Sequence, residues 1–345
     1  MVLELRKADQ KDRDLWETLL ESSRQSTIFH SWDWLKIAER YSDSAFHPMI
    51  VYNGSEPIGL IPLFFQKRSF QKMVFSPPPH LAIPYLGPVF ANYDQLKQHK
   101  KETFFIDTQK ALDLYIADEL HADYVSIFLP PNLQDPRPFS WTGYGLRPVY
   151  DYVIDLRGSL DQIRANFGKN LRMAISQGEK RGFVAETGNS DAWRTLYSLM
   201  VSRYEQQNKS VRVPIEYLEA VQKTFPDTIK TIVVKYEGEI VTGCIDILYR
   251  DELLSWIGNL RPLKKLSPSP NDLCCYYEIA YAKQKALNYY ITAEAAGNPR
   301  LHEYYSKFNP DLRIRFSVKK ASFLAQTCES AYVQVIKPVF DRFHL

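Results

Sequence analysis

Long apolar runs are scarce in this sequence. The longest, such as IGLIPLFF, fall far short of the ~20 residues that a membrane-spanning helix needs, so no membrane span is expected. The opening MVLELRKADQKDRDLW is charged throughout and has no apolar core segment, which argues against a secretory leader. Cysteine is sparse too. Cys244, Cys274, Cys275 and Cys328 show no CxxC spacing, and an adjacent pair makes poor disulfide geometry. Reduced, buried thiols and a cytoplasmic location are the expectation. Neither an HExxH pattern nor clustered carboxylates suggest a metal, and neither GxSxG nor a Cys–His order suggests a covalent nucleophile. A formal net charge of only +3 leaves no broad positive field for duplex nucleic acid.

What the sequence does contain is an echo. MIVYNGSEPIGLIPLFF (Met49–Phe65) and VVKYEGEIVTGCIDILY (Val233–Tyr249) each run from an apolar segment through a polar turn into a second apolar segment. In both, two glycines stand five positions apart, Gly54 and Gly59 in the first, Gly238 and Gly243 in the second. The pattern predicts two β-hairpins.

At 345 residues the chain is long for one core, and two domains are expected. In the first half, DQKDRDLWETLLESS places Leu15, Trp16, Leu19 and Leu20 at helical spacing, and SWDWLKIAERY gives a second helix that Ser31 can cap. The proline-rich FSPPPHLAIPYLGPVF admits only loop and short edge strand. A helix in KKETFFIDTQKALDLYIADEL and a strand over Asp123–Pro130 complete this half. The five prolines and two glycines of LPPNLQDPRPFSWTGYGLRPVY mark the best boundary, dividing the chain into 1–148 and 149–345.

The second half repeats the order. A strand in YVIDL precedes one long helix over GSLDQIRANFGKNLRMAISQGEKRG, with Leu160, Ile163, Phe167, Leu171 and Ala174 along one face and Ser159 as its cap. Two more helices lead to the second hairpin, a strand over Leu253–Leu260, a helix over Leu273–Leu287, the strand YYITAEAAG and a last helix within FLAQTCESAYVQVIKPVF. Matching order around matching hairpins predicts a duplicated α/β (α+β) unit.

This order resembles the GNAT acyltransferase fold, and two copies in tandem resemble the Fem family of aminoacyl ligases. The segments that carry the likeness are HSWDWLKIAERY, VIDLRGSLDQIRANFGKNLRMAISQGEKRGF and AEAAGNPRLHEYYSKFNP, which together span nearly the whole chain. The resemblance implies two mixed, splayed sheets flanked by helices. It also implies acyl transfer to an amine, in one cleft formed between the halves and mostly from the second.

It further points to particular residues. Lys36 is similar to a lysine that holds the phosphates of a nucleotide-linked acceptor, and the aromatic wall beside it would be Trp34. Arg172 and Lys169 lie on a basic helix face, where a planar guanidinium suits phosphate or carboxylate. Lys307, in YYSKF, matches a lysine near the active site and would steady the oxyanion formed when an amine attacks a carbonyl. Glu294, at a strand end, is a candidate proton acceptor, and Tyr305 or its neighbour Tyr304 a candidate donor to the leaving group. Asp246, a further catalytic candidate, interrupts an apolar run: a charge there needs a partner if buried, and its alternatives are to line the cleft or merely to face water.

The donor is the weakest point. Acetyl-CoA-dependent members usually hold the pyrophosphate on a glycine-rich turn at a helix start. Here that place reads KKLSPSPNDLCCYYE, offering Lys264, Lys265, Ser267 and Ser269 but no glycine, and its prolines lack N–H groups. Acetyl-CoA and another acyl donor, such as aminoacyl-tRNA, both stay open. So does a non-catalytic module that binds a glycan precursor or a protein partner.

Overall fold

The computed structural model describes residues 3–327 apart from 70, 259–264 and 324. It divides into two compact units. Of the described residues, one holds 3–149 together with 314–327, and the other holds Tyr150–Arg313.

In the first unit, strands β1 (Leu3–Lys7), β2 (Ala45–Asn53), β3 (Glu56–Arg68) and β4 (Gln71–Ser76) pair antiparallel in that order. The two-residue β5 (Val89–Phe90) adds to β3, and β4 pairs in parallel with β6 (Tyr124–Phe128). Helices α1 (Arg13–Glu21), α2 (Trp32–Tyr41), α3 (Gln98–Leu114) and α4 (Arg137–Trp141) flank this sheet. The expected face of α1 is buried through Trp16, Leu19 and Leu20, and the Trp16 indole donates to the His30 carbonyl at 2.8 Å.

The second unit opens with β7 (Gly145–Asp155), whose chain runs across Val149 and Tyr150. The long helix expected next is broken into α5 (Leu160–Ala165) and α6 (Lys169–Lys180). Ser159 caps α5, accepting from the Gln162 amide at 3.2 Å. The break has a cause: the Gly168 amide leaves the helix to donate to the Lys307 carbonyl at 2.8 Å. After it, Ile175 takes the buried position that straight periodicity assigns to Ala174. There follow β8 (Val184–Thr187), α7 (Ala192–Glu205), α8 (Ile215–Thr224), β9 (Ile229–Tyr236), β10 (Glu239–Tyr249) and β11 (Glu252–Gly258). Helix α9 (Pro270–Gln284), β12 (Tyr289–Thr292) and α10 (Pro299–Tyr305) complete the unit, and β13 (Asp311–Ala321) follows. The expected last helix lies largely outside the described residues.

The two sheets match strand for strand. β8, β9, β10 and β11 pair antiparallel in order, β11 pairs in parallel with β12, and β12 pairs antiparallel with β7. In the first unit β13 takes the sixth place, antiparallel to β6. The first unit thus completes its sheet with a strand, β13, that the sequence places beyond the second unit's last helix, α10. A boundary drawn along the sequence cannot describe this arrangement. It also gives the echo a reason. Gly54 (φ +63°) and Gly238 (φ +85°) occupy turn conformations with left-handed φ, which side chains resist. Gly59 and Gly243 leave room where a Cβ would lie 2.7 Å from the Phe90 ring and 2.3 Å from the Ile232 carbonyl.

Among the described residues, no helix is long and apolar enough to cross a membrane. Cys244, Cys274 and Cys275 are free and buried, and Cys328 lies outside the described residues.

Candidate active site

A cavity of about 530 Å³ lies within the second unit where two parallel strands part. β11 and β12 pair only from Glu252/Tyr289 to Ser255/Thr292. Beyond that point β11 continues to Gly258 along β10, while the other chain turns away at Glu294 (φ +61°), whose amide donates to Asp151 Oδ1 at 2.8 Å. Ser255 and Thr292, the last pair, form the floor of the gap. The start of α9, with Ser269 and Asn271, supplies one wall, and Tyr304, Tyr305 and Lys307 supply another.

Lys307 is held from three sides. Its ammonium pairs with Asp272 in the first turn of α9 and sits 4.1 Å from the centre of the Tyr304 ring, and its carbonyl receives the Gly168 amide. The side chain of Asp272 is only 8% exposed, so the lysine is its counter-ion against burial. Tyr305 is buried edge-on against Tyr304, with ring centres 4.9 Å apart. Tyr304 places its hydroxyl 3.5 Å from Cys275 Sγ, and burial pushes its pKa well above the ordinary phenol value.

Behind the floor lies a polar pocket within the core. Asp246 on β10 pairs across the ladder with Ser255 and is fully buried, and neither carboxyl oxygen has a hydrogen-bond partner. Glu278 of α9, also fully buried, accepts from the Tyr290 hydroxyl at 2.6 Å, and Cys274 Sγ lies 3.5 Å from its other oxygen. Cys244 Sγ is 3.1 Å from Ser255 Oγ. Burial raises Glu278 to about 7, against donors, Tyr290 first, that favour its carboxylate. Asp246 is driven well above the usual carboxylate range by burial and by the neighbouring Glu278. One atom each from Cys244, Asp246 and Glu278 lies within 4.8 Å of the others, a spacing a metal ion could bridge. Burial favours the protonated form of all three, and those protons compete with an ion for the same atoms.

The residues singled out from sequence are distributed unevenly. Lys307, Tyr305 and Ser269 line the cavity together, and Glu294 is an exposed residue between the lining residues Ala293 and Ala295. Lys169 begins α6 beside the Gly168–Lys307 link and is exposed, while Arg172 of α6 donates to the Ala165 carbonyl at the end of α5. Lys265 is exposed, the Ser267 carbonyl accepts from Arg181, and Lys264 lies outside the described residues. Lys36 and Trp34 belong to the first unit, where Lys36 pairs with Glu39 on the surface. Two expectations are corrected. Trp34 is fully buried edge-on against Phe29, 4.9 Å between centres, so core packing consumes it and it offers no ligand wall. Asp246 neither lines the cavity nor faces water, because the ladder turns it into the core.

The sequence reading passed over Ser255, Asp272 and Glu278. For Glu278 a signal was present: it stands four residues after Cys274 and four before Ala282, on the buried face of α9. Pro270 occupies the first position of α9, where its missing N–H costs nothing.

Residues 165–291 match the family model described as an acetyltransferase (GNAT) domain, a stretch that contains β11 and α9. Among solved structures the chain is similar to FemX, with a TM-score of 0.66 at 11% identity over 99% of this chain and 100% of that one. It is similar to L-PGS from Bacillus licheniformis, with a TM-score of 0.55 at 16% identity over 91% and 92%. It also matches a tandem GNAT protein from the clavulanic acid biosynthesis pathway, with a TM-score of 0.54 at 10% identity over 92% and 98%. No curated protein matches the sequence. The fold is the Fem-like tandem GNAT fold, and the class of activity described for the domain matched over residues 165–291 is acyl transfer.

Proposed function

We propose that this protein is an N-acyltransferase whose working site is the cavity at the parting of β11 and β12. The observation that carries the reading is the convergence there of the α9 start and Lys307. A helix start attracts anions through its N–H groups and dipole, which suits the diphosphate of an acyl-CoA thioester. Lys265 nearby adds positive charge, and Asp272, which would repel an anion, is paired with Lys307. A CoA thioester is therefore the favoured donor, with aminoacyl-tRNA as the second candidate. Acceptors of the kind expected are the amine of a sugar nucleotide, a cell-envelope precursor or an amino acid.

In this reading the amine nitrogen attacks the activated carbonyl directly. The C–N bond forms, the oxygen gains negative charge, and collapse expels the thiolate or alkoxide. Lys307 is the cation positioned to stabilise that oxygen, and its tether through Asp272, Tyr304 and Gly168 fixes it before substrate arrives.

The test is acyl transfer from acetyl-CoA to a panel of amines by wild type and Lys307→Ala. Turnover should fall by about a hundredfold. Leaving Asp272 without its counter-ion should cost about 1–3 kcal/mol of stability, which a melting curve reads separately. Wild-type turnover in the variant would remove Lys307 from the mechanism.

A further inference from the structure

The proposed chemistry releases a proton from the attacking amine, and none of the cavity residues named so far is well placed to take it. Glu294 is exposed, and Asp272 is occupied by Lys307. The floor offers another route. Ser255, the last residue of β11 paired with β12, lines the cavity, yet its hydroxyl also reaches the core, 3.1 Å from the Sγ of Cys244, whose own atom lies within 4.8 Å of Glu278 and Asp246.

We propose that Ser255 relays the amine proton through the cavity floor to Glu278, which serves as the buried proton acceptor of the reaction. As the C–N bond forms, the amine proton passes to Ser255 Oγ, and the serine's own proton passes to a Glu278 oxygen. The acyl–donor bond breaks with its electron pair leaving on sulfur or oxygen. Glu278 then returns its proton to that leaving group by the same path. No oxidant, reductant or further reactant is needed.

Three features favour Glu278 over its neighbour. It already has donors arranged for a carboxylate, the Tyr290 hydroxyl and the Cys274 thiol, whereas the oxygens of Asp246 have none. Two carboxyls this close and this buried do not both ionise readily, so Asp246 is the one that stays protonated. Among the described residues, the titratable groups that act on Glu278 are Asp246 and Cys244 on β10, Cys274 and Cys275 on its own helix, and Tyr290 on β12, and α9 is set in a core cluster of apolar side chains that includes Ile175, Ile232 and Val234. Together they hold its carboxyl near pH 7, where a general base exchanges protons most effectively.

The proposal rests on the acyl-transfer reading, so its test has one arm that needs no substrate. Infrared difference spectra of the whole protein between about pH 6 and pH 8 should show a protonated-carboxyl band that titrates away near 7. It should be absent in Glu278→Gln. In Ser255→Ala the band should shift in frequency and its midpoint should rise, because the carboxylate loses a donor. A missing band in wild type, or an unchanged band in Ser255→Ala, overturns the proposal. The second arm follows acetyl-CoA with hydroxylamine as the small amine. The wild-type rate should climb with pH to a plateau above about 7, and Ser255→Ala should lower that plateau at least about tenfold with KM for acetyl-CoA unchanged. A wild-type plateau in Ser255→Ala also overturns the relay. Should wild type show no turnover while the band behaves as described, the result supports the Ser255–Glu278 connection and counts against the thioester donor.

Discussion

Replacing Glu278 by Gln should change how stability depends on pH in a way that can be worked out beforehand. In the unfolded chain the carboxyl titrates near its ordinary value of 4.5, and in the folded chain it titrates at about 7. Between those values folding takes up a proton. The stabilisation linked to that proton is fully present below about 4.5 and is lost as pH rises through about 7. At about 1.4 kcal/mol per pH unit, the gap amounts to about 3 kcal/mol of stability lost between about pH 4.5 and pH 8. Glutamine does not titrate, so the variant escapes this loss. Its carbonyl can still accept from Tyr290, and any packing penalty is the same at every pH. Urea denaturation of both proteins at about pH 5 and pH 8 isolates the effect. The stability of Glu278→Gln relative to wild type should improve by about 2–3 kcal/mol at the higher pH. A difference that stays constant within about 0.5 kcal/mol would mean that Glu278 ionises normally, and the account of the buried acid pair would fail.

Other expectations follow from packing. Gly243→Ala sets a Cβ 2.3 Å from the Ile232 carbonyl and should cost about 3 kcal/mol or more, whereas Gly238→Ala, in open space with left-handed φ, should cost only about 1 kcal/mol; paired denaturation curves decide. Equal costs would refute the different reasons given for the two glycines. Trp34→Ala should lose about 3–5 kcal/mol as a core cavity, while Lys36→Ala, which breaks an exposed ion pair, should change stability by less than about 1 kcal/mol. A Trp34→Ala protein that unfolds like wild type would return that residue to the list of ligand-facing side chains.

Much was legible in the sequence alone because it is encoded locally. The two hairpins follow from alternating apolar residues around turn glycines, the α1 face from helical spacing, and the proline-rich segment from proline's missing donor. The likeness of YYSKF to a family segment singled out Lys307, and the structure brings it into the cavity. What stayed hidden depends on contacts between residues far apart in the chain. The break at Gly168 exists because its amide meets the Lys307 carbonyl, about 140 residues away, and no helical pattern records that meeting. Trp34 looks the same in sequence whether it faces a ligand or a phenylalanine. Asp246 reads as a charge that lines the cleft or faces water, and only the ladder shows it turned inward beside Glu278. Periodicity determines which face of an element is apolar. Tertiary packing alone decides which polar groups share that face, and in the dry interior it is this sharing that sets their charge.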